Sequence, residues 1–238
     1  ADGRLTLNQG IAPGSITGSA KQPLAGNTLL NDSARGHSQW MIDTDNFSHT
    51  GAGGSSFDQR IAAALYTPLL TGGENIAMRG TTGSVPFTGF VTKSHEDLFH
   101  STTGHRQNIL DPDFREIGIG ALTGVFDGFN SVLTTQNFGT RSNNPIVTGV
   151  AYNDTVVNDN FYSVGEGQSG ITVTVAQTVS HTTTTETAGG YAVTAAAGVA
   201  DVRFSGGGLA ADVNVRVGIG PANVKIDLVD SVTVQSSA

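Results

Sequence analysis

In the stretch NTLLNDSARGHSQWMID, the residues Leu29, Leu30, Ala34, His37, Trp40 and Met41 recur at steps of three and four, the spacing of one helix face. Asn27 or Thr28 stands where an N-cap oxygen is needed. A second helix is predicted over SSFDQRIAAALY, which opens on serine and stops ahead of Pro68, because the residue before a proline is pushed out of the helical region. The segment SHEDLFHSTTGHRQNIL, from Ser94 to Leu110, also has more helix-like than strand-like spacing. After Pro145 the period changes to two. The runs ITVTVAQTV, YAVTAAAG, ADVRFSG, ADVNVRVGIG and NVKIDLV alternate between glycine-rich turns, which predicts an all-β sandwich. The chain therefore divides into a mixed α+β region, residues 1–142, and a β-sandwich over residues 145–238. Glycine, proline and serine run through residues 1–26, which read as irregular and surface-lying.

Composition narrows the function classes. Charged residues make up 13% of the 238, the net charge is −8, and no basic stripe exists to neutralise phosphates, so nucleic acid is not an expected partner. Cysteine is absent, which removes disulfides, thiolate ligands and thiol nucleophiles together. No apolar run is long enough to span a bilayer, and ADGRLTLNQG lacks the charged and apolar regions of a leader. That leaves either a cytosolic protein or one whose leader precedes this sequence.

Three histidines in the Ser94–Leu110 segment raise the question of a zinc-protease helix. Such a helix needs two histidines four residues apart, whereas His95 and His100 are five apart and diverge by about 140° around a helix. Glu96 and His100 have the four-residue spacing of a surface pair worth a few tenths of a kcal/mol. Serine-hydrolase and phosphate-loop motifs are missing as well.

The segments GHSQWM, NFSHTG, GENIA, GHRQNILDPDFREIGIG and TTQNFG follow one another between Thr28 and Gly139. In that order and spacing they resemble the CAP superfamily, most closely its cysteine-free bacterial branch of SCP-like extracellular proteins. The resemblance implies an α-β-α sandwich around an antiparallel sheet, export from the cell, and a cleft lined by two histidines and two glutamates. Carried over residue by residue, His49, Glu74 and His105 match three cleft positions. The fourth falls on Thr102, with Phe99 in place of the family's tryptophan, so one acid is lost; Glu96 is a poorly placed substitute. Arg106 and Asn108 are expected to tie their loop to the following strand, and Trp40 and Phe47 to lie in the core.

Further along, GVAYNDTVVNDNFYSVGEGQSGITVTV resembles the first loop of carboxypeptidase-regulatory-like and bacterial surface-repeat sandwiches. In those, alternating oxygen ligands and a final glutamate surround calcium. Asp154, Asn158, Asp159 and Glu166 survive here, but an extra residue and two valines interrupt the series, so a weak or lost calcium site is expected. The function these signals indicate is a secreted, periplasmic or cell-surface CAP protein that binds a divalent metal, zinc first, through His49 and His105. Glu74 would orient one imidazole, and a small apolar or glycan ligand could share the cleft without being turned over. The alternatives are a hydrolase in which His105 or Glu74 activates water, and a structural or adhesive extracellular module with an extracellular partner.

Overall fold

The computed structural model describes residues 6–237, which fall into two compact units. The first comprises Asn27–Ser142 together with the N-terminal segment up to Lys21; the second comprises Asn143 onward together with Gln22–Gly26, which contains the short strand β1 (Ala25–Gly26).

The first unit opens with α1 (Thr28–Thr44). Asn27 caps it, its side-chain oxygen accepting from the amides of Leu29 at 2.9 Å and Leu30 at 3.2 Å. The three- and four-residue spacing buries Leu30, Ala34, His37 and Met41, and Asp45 ends the helix in the left-handed region at φ 51°. Next come α2 (Phe57–Ala63), β2 (Thr71–Thr81), α3 (Phe87–His100), α4 (His105–Ile109), β3 (Glu116–Phe126) and β4 (Phe129–Thr140). β4 pairs antiparallel with both β2 and β3, aligning Glu74 with Asn137 and Gly118, and Asn75 with Gln136 and Ile119. Adjacent strand residues face opposite ways, so Glu74, Asn137 and Gly118 look towards α1 while Asn75 and Gln136 look towards α3. The layers are helix, sheet, helix, a mixed α/β fold. Two glycines let α1 lie directly on β3. A Cβ on Gly118 would come within 2.1 Å of the Leu30 carbonyl carbon, and one on Gly120 within 2.3 Å of that of Ala34.

Several expectations change here. The Ser94–Leu110 segment is not one helix, since the chain turns at Ser101–Gly104 and restarts after Gly104, whose φ of 99° suits glycine. Phe47 is not core: it is 44% exposed and meets Phe126 edge-on. Trp40 is half-buried, stacked on His37 with ring centres 5.6 Å apart.

In the second unit, β5 (Ile146–Tyr152), β8 (Gly190–Thr194), β11 (Val224–Val229) and β12 (Val232–Ser237) form one sheet. β6 (Ile171–Ala176), β7 (His181–Thr184), β9 (Gly198–Gly206) and β10 (Val213–Ile219) form another. Alternate residues of both sheets, Val147, Val173, Tyr191, Val202, Phe204 and Ile226 among them, join in one apolar core.

Candidate functional site

Glu74 is the hub of the polar cluster. It lies on β2 beside Gly73, where a Cβ would come 3.0 Å from the Phe114 ring, and its side chain is 1% exposed. A carboxylate that deep is costly unless its oxygens are satisfied. Oε1 is 2.9 Å from His49 Nδ1, and Oε2 accepts from Arg60 Nη2 at 2.7 Å. With its amide nitrogen turned to the carboxylate, Asn137 donates to Oε2 at 3.2 Å and accepts from Ser33 and Ala34. Asn108 donates to the Glu74 carbonyl at 3.2 Å and to Asn75 Oδ1 at 2.9 Å.

His49 follows α1 on a loop, with its side chain 54% exposed. A carboxylate accepts only, so His49 Nδ1 carries the proton and Nε2 keeps its lone pair in the neutral ring. His37 lies behind, its ring buried, with Nε2 2.9 Å from the Ser48 carbonyl and 3.9 Å from Glu74 Oε1. Burial holds the His37 imidazole below its ordinary range; Glu74 pulls it up, and Arg60 pushes it down again.

His105 starts α4, with Nδ1 2.9 Å from Ser101 Oγ. Burial first, and His49 after it, hold its imidazole below the ordinary range. His105 lines a cleft of about 440 Å³ together with Ile76, Met78, Leu98, His100 and Thr102. Thr102 is thus at the cleft and exposed. His49 and Glu74 are not among the residues that line this cleft.

Other expected roles fall differently. Glu96 pairs with Lys93 at 3.0 Å on the exposed side of α3 and is not among the residues that line the cleft. Arg106 does not reach the following strand. It is 1% exposed, and its guanidinium donates to the carbonyls of Phe99, His100 and Ser101 behind it and of Leu7 and Gln9 in the N-terminal segment. Asn108 ties to β2 instead. Gln136 joins Asn75 at 3.2 Å to His95 Nδ1 at 3.1 Å on the α3 side of the sheet.

Arg60 is the residue that sequence reasoning missed. It flanks the buried Ile61 in a short amphipathic helix, and no spacing rule leads from there to Glu74.

In the second unit the surviving carboxylates turn onto their own loop. Asp154 accepts from the amides of Asp159 and Asn160, and Glu166 from those of Val156, Val157 and Ser163, at 2.6 to 3.3 Å. Burial raises the Glu166 carboxyl, and these amides outweigh it, leaving it below the usual range. Asp159 Oδ1 accepts from the amide of Phe161, and Asn158 is exposed.

The first unit is similar to known proteins. The uncharacterised protein YkwD of Bacillus subtilis is 34% identical over 100 residues, 42% of this chain. The chain spans only about a third, 35%, of that relative's length. An extracellular protein containing an SCP domain from Bacillus anthracis is 28% identical over 51% of this chain and 35% of its own, with a TM-score of 0.37. An outer surface protein of Borrelia burgdorferi is 17% identical over 51% of this chain and 80% of its own, also at 0.37. Residues 16–138, more than half of the chain, match the CAP family of cysteine-rich secretory proteins, and the chain belongs to that family.

Proposed function

We propose that this chain is an exported CAP protein in which His49 and His105 hold one divalent cation beside a cleft for a small ligand that is bound and released unchanged. One observation carries the reading. Both imidazoles are contacted at Nδ1, by Glu74 and by Ser101, each at 2.9 Å. The carboxylate accepts only, so His49 keeps the Nε2 lone pair for a metal, while the Ser101 hydroxyl can donate or accept and lets His105 offer Nε2 in the tautomer protonated at Nδ1. A carboxylate behind an imidazole fixes the tautomer and raises ligand basicity. The donor chemistry therefore fits zinc. Among the described residues no set of three or more His, Asp or Glu side chains converges on a cation position. The two histidines would then be the protein's whole contribution, and positions would stay open for water or a ligand. A bound cation would supply a positive centre for a ligand oxygen, while Ile76, Met78 and Leu98 offer an apolar wall.

Export is supported by family membership. The second unit we read as a carboxypeptidase-regulatory-like sandwich acting as a spacer. The amides gathered by Asp154 and Glu166 give its first loop a fixed shape without a cation.

Calorimetric titration with zinc tests the metal reading. The wild type is expected to bind one ion, His49→Ala and His105→Ala to lose at least tenfold in affinity, and binding to fade on acidification below about pH 6.5, where imidazoles protonate. Equal binding by all three proteins refutes it.

A further inference from the structure

We infer that Arg60 is the positioning residue of this site, and that by keeping Glu74 from acting as a ligand it selects the class of cation. The selection rests on the metal-binding reading above; the positioning does not. The Arg60 side chain is 12% exposed, and one guanidinium meets three acceptors. Nη2 donates to Glu74 Oε2 at 2.7 Å, and Nη1 donates to the carbonyls of His49 at 3.1 Å and Ser55 at 2.8 Å. It therefore fixes the backbone that carries His49 and the carboxylate on which the His49 ring rests. Glu74 Oε1 is taken by His49, and Oε2 by Arg60 and Asn137.

The charges follow the same logic. Arg60 pairs with Glu74, Thr102 stands where another acid would have been, and Asp97, which also lines the cleft, is paired with Arg79 and Lys93, so each nearby carboxylate is already engaged by a cationic side chain. Calcium, magnesium and manganese take oxygen ligands, preferably charged ones. Zinc, nickel and copper accept imidazole. A fork-shaped guanidinium can hold the carboxylate and two carbonyls at once, which a single ammonium group on a flexible stem cannot do in the same geometry.

The test begins with metal-free protein and nitrogen-15 NMR of the histidine rings. In the wild type, His49 is expected as one tautomer, protonated at Nδ1. That single signature is expected to be lost in Arg60→Gln and in Arg60→Lys, the latter retaining the charge that Glu74 needs in order to fold. Titration with zinc and with manganese follows. The wild type and Arg60→Lys should prefer zinc by at least a hundredfold, and Arg60→Gln should gain at least tenfold in manganese affinity as Glu74 is released. An unchanged His49 signature in both variants overturns the positioning role. Comparable zinc and manganese binding by the wild type overturns the selection. If neither ion binds the wild type, the metal reading and the selection fall together, while a locked tautomer lost in the variants still upholds the positioning role.

Discussion

His37 shows how one side chain can serve packing and charge at once. Its helical spacing placed it among apolar neighbours, and there it lies, stacked on Trp40, with Nδ1 buried and without a partner. Only the neutral ring suits that setting, because a second N–H would have no acceptor. The folded imidazole is shifted below its unfolded value, first by burial. The unfolded chain therefore takes up the proton first as pH falls. The stability that depends on neutral His37 is complete above about pH 6.5 and is lost as pH drops through the range beneath it. His37→Gln, which can still donate to the Ser48 carbonyl, is expected to flatten the dependence of unfolding free energy on pH between about 6.5 and 5. Chemical denaturation at several pH values reads this directly, and parallel slopes for variant and wild type count against it.

At the scale of elements, the seat of α1 depends on what β3 lacks. Gly118 and Gly120 fall two apart in EIGIG, so both face the helix, and the backbone of α1 fills the space that their side chains would occupy. Gly118→Val must push the helix away from the sheet, an overpacking of a buried contact that costs on the order of 3 kcal/mol or more. Urea unfolding is expected to show that loss, and a change under 1 kcal/mol would mean that α1 rides elsewhere. The helices α1 and α2, with the serine and asparagine that cap them, were legible because periodicity and capping act within a few residues. The break at Ser101–Gly104 was harder to read, since Arg106 stabilises it by gathering carbonyls from both the end of α3 and the N-terminal segment. Of the candidate site, His49, Glu74 and His105 stood out through their motifs. Arg60 did not, because its role arises only when α2 folds back beside β2.

Across the whole molecule, the break in period near Pro145 marks where the second unit begins, but not all that it contains. Gln22–Gly26 belongs with it, although more than a hundred residues intervene. Asn223 shows the reason. It is 1% exposed, its Oδ1 accepts from the Ile146 amide at 2.9 Å at the start of β5, and its Nδ2 donates to the Pro23 carbonyl at 2.9 Å. Its own amide donates to Gln22 Oε1 at 3.0 Å. One buried amide side chain thus joins the strand β5 to a segment from the far end of the chain, a contact that neither periodicity nor composition announces. Asn223→Ala leaves the Ile146 amide and the Pro23 carbonyl without these partners, at about 1–3 kcal/mol for each buried group stranded. Hydrogen exchange is the measurement that locates the damage. The Ile146 amide and its neighbours in β5 are expected to exchange at least tenfold faster in the variant, following the loss of local stability, and unchanged protection at Ile146 would show that Asn223 does not hold the start of that strand.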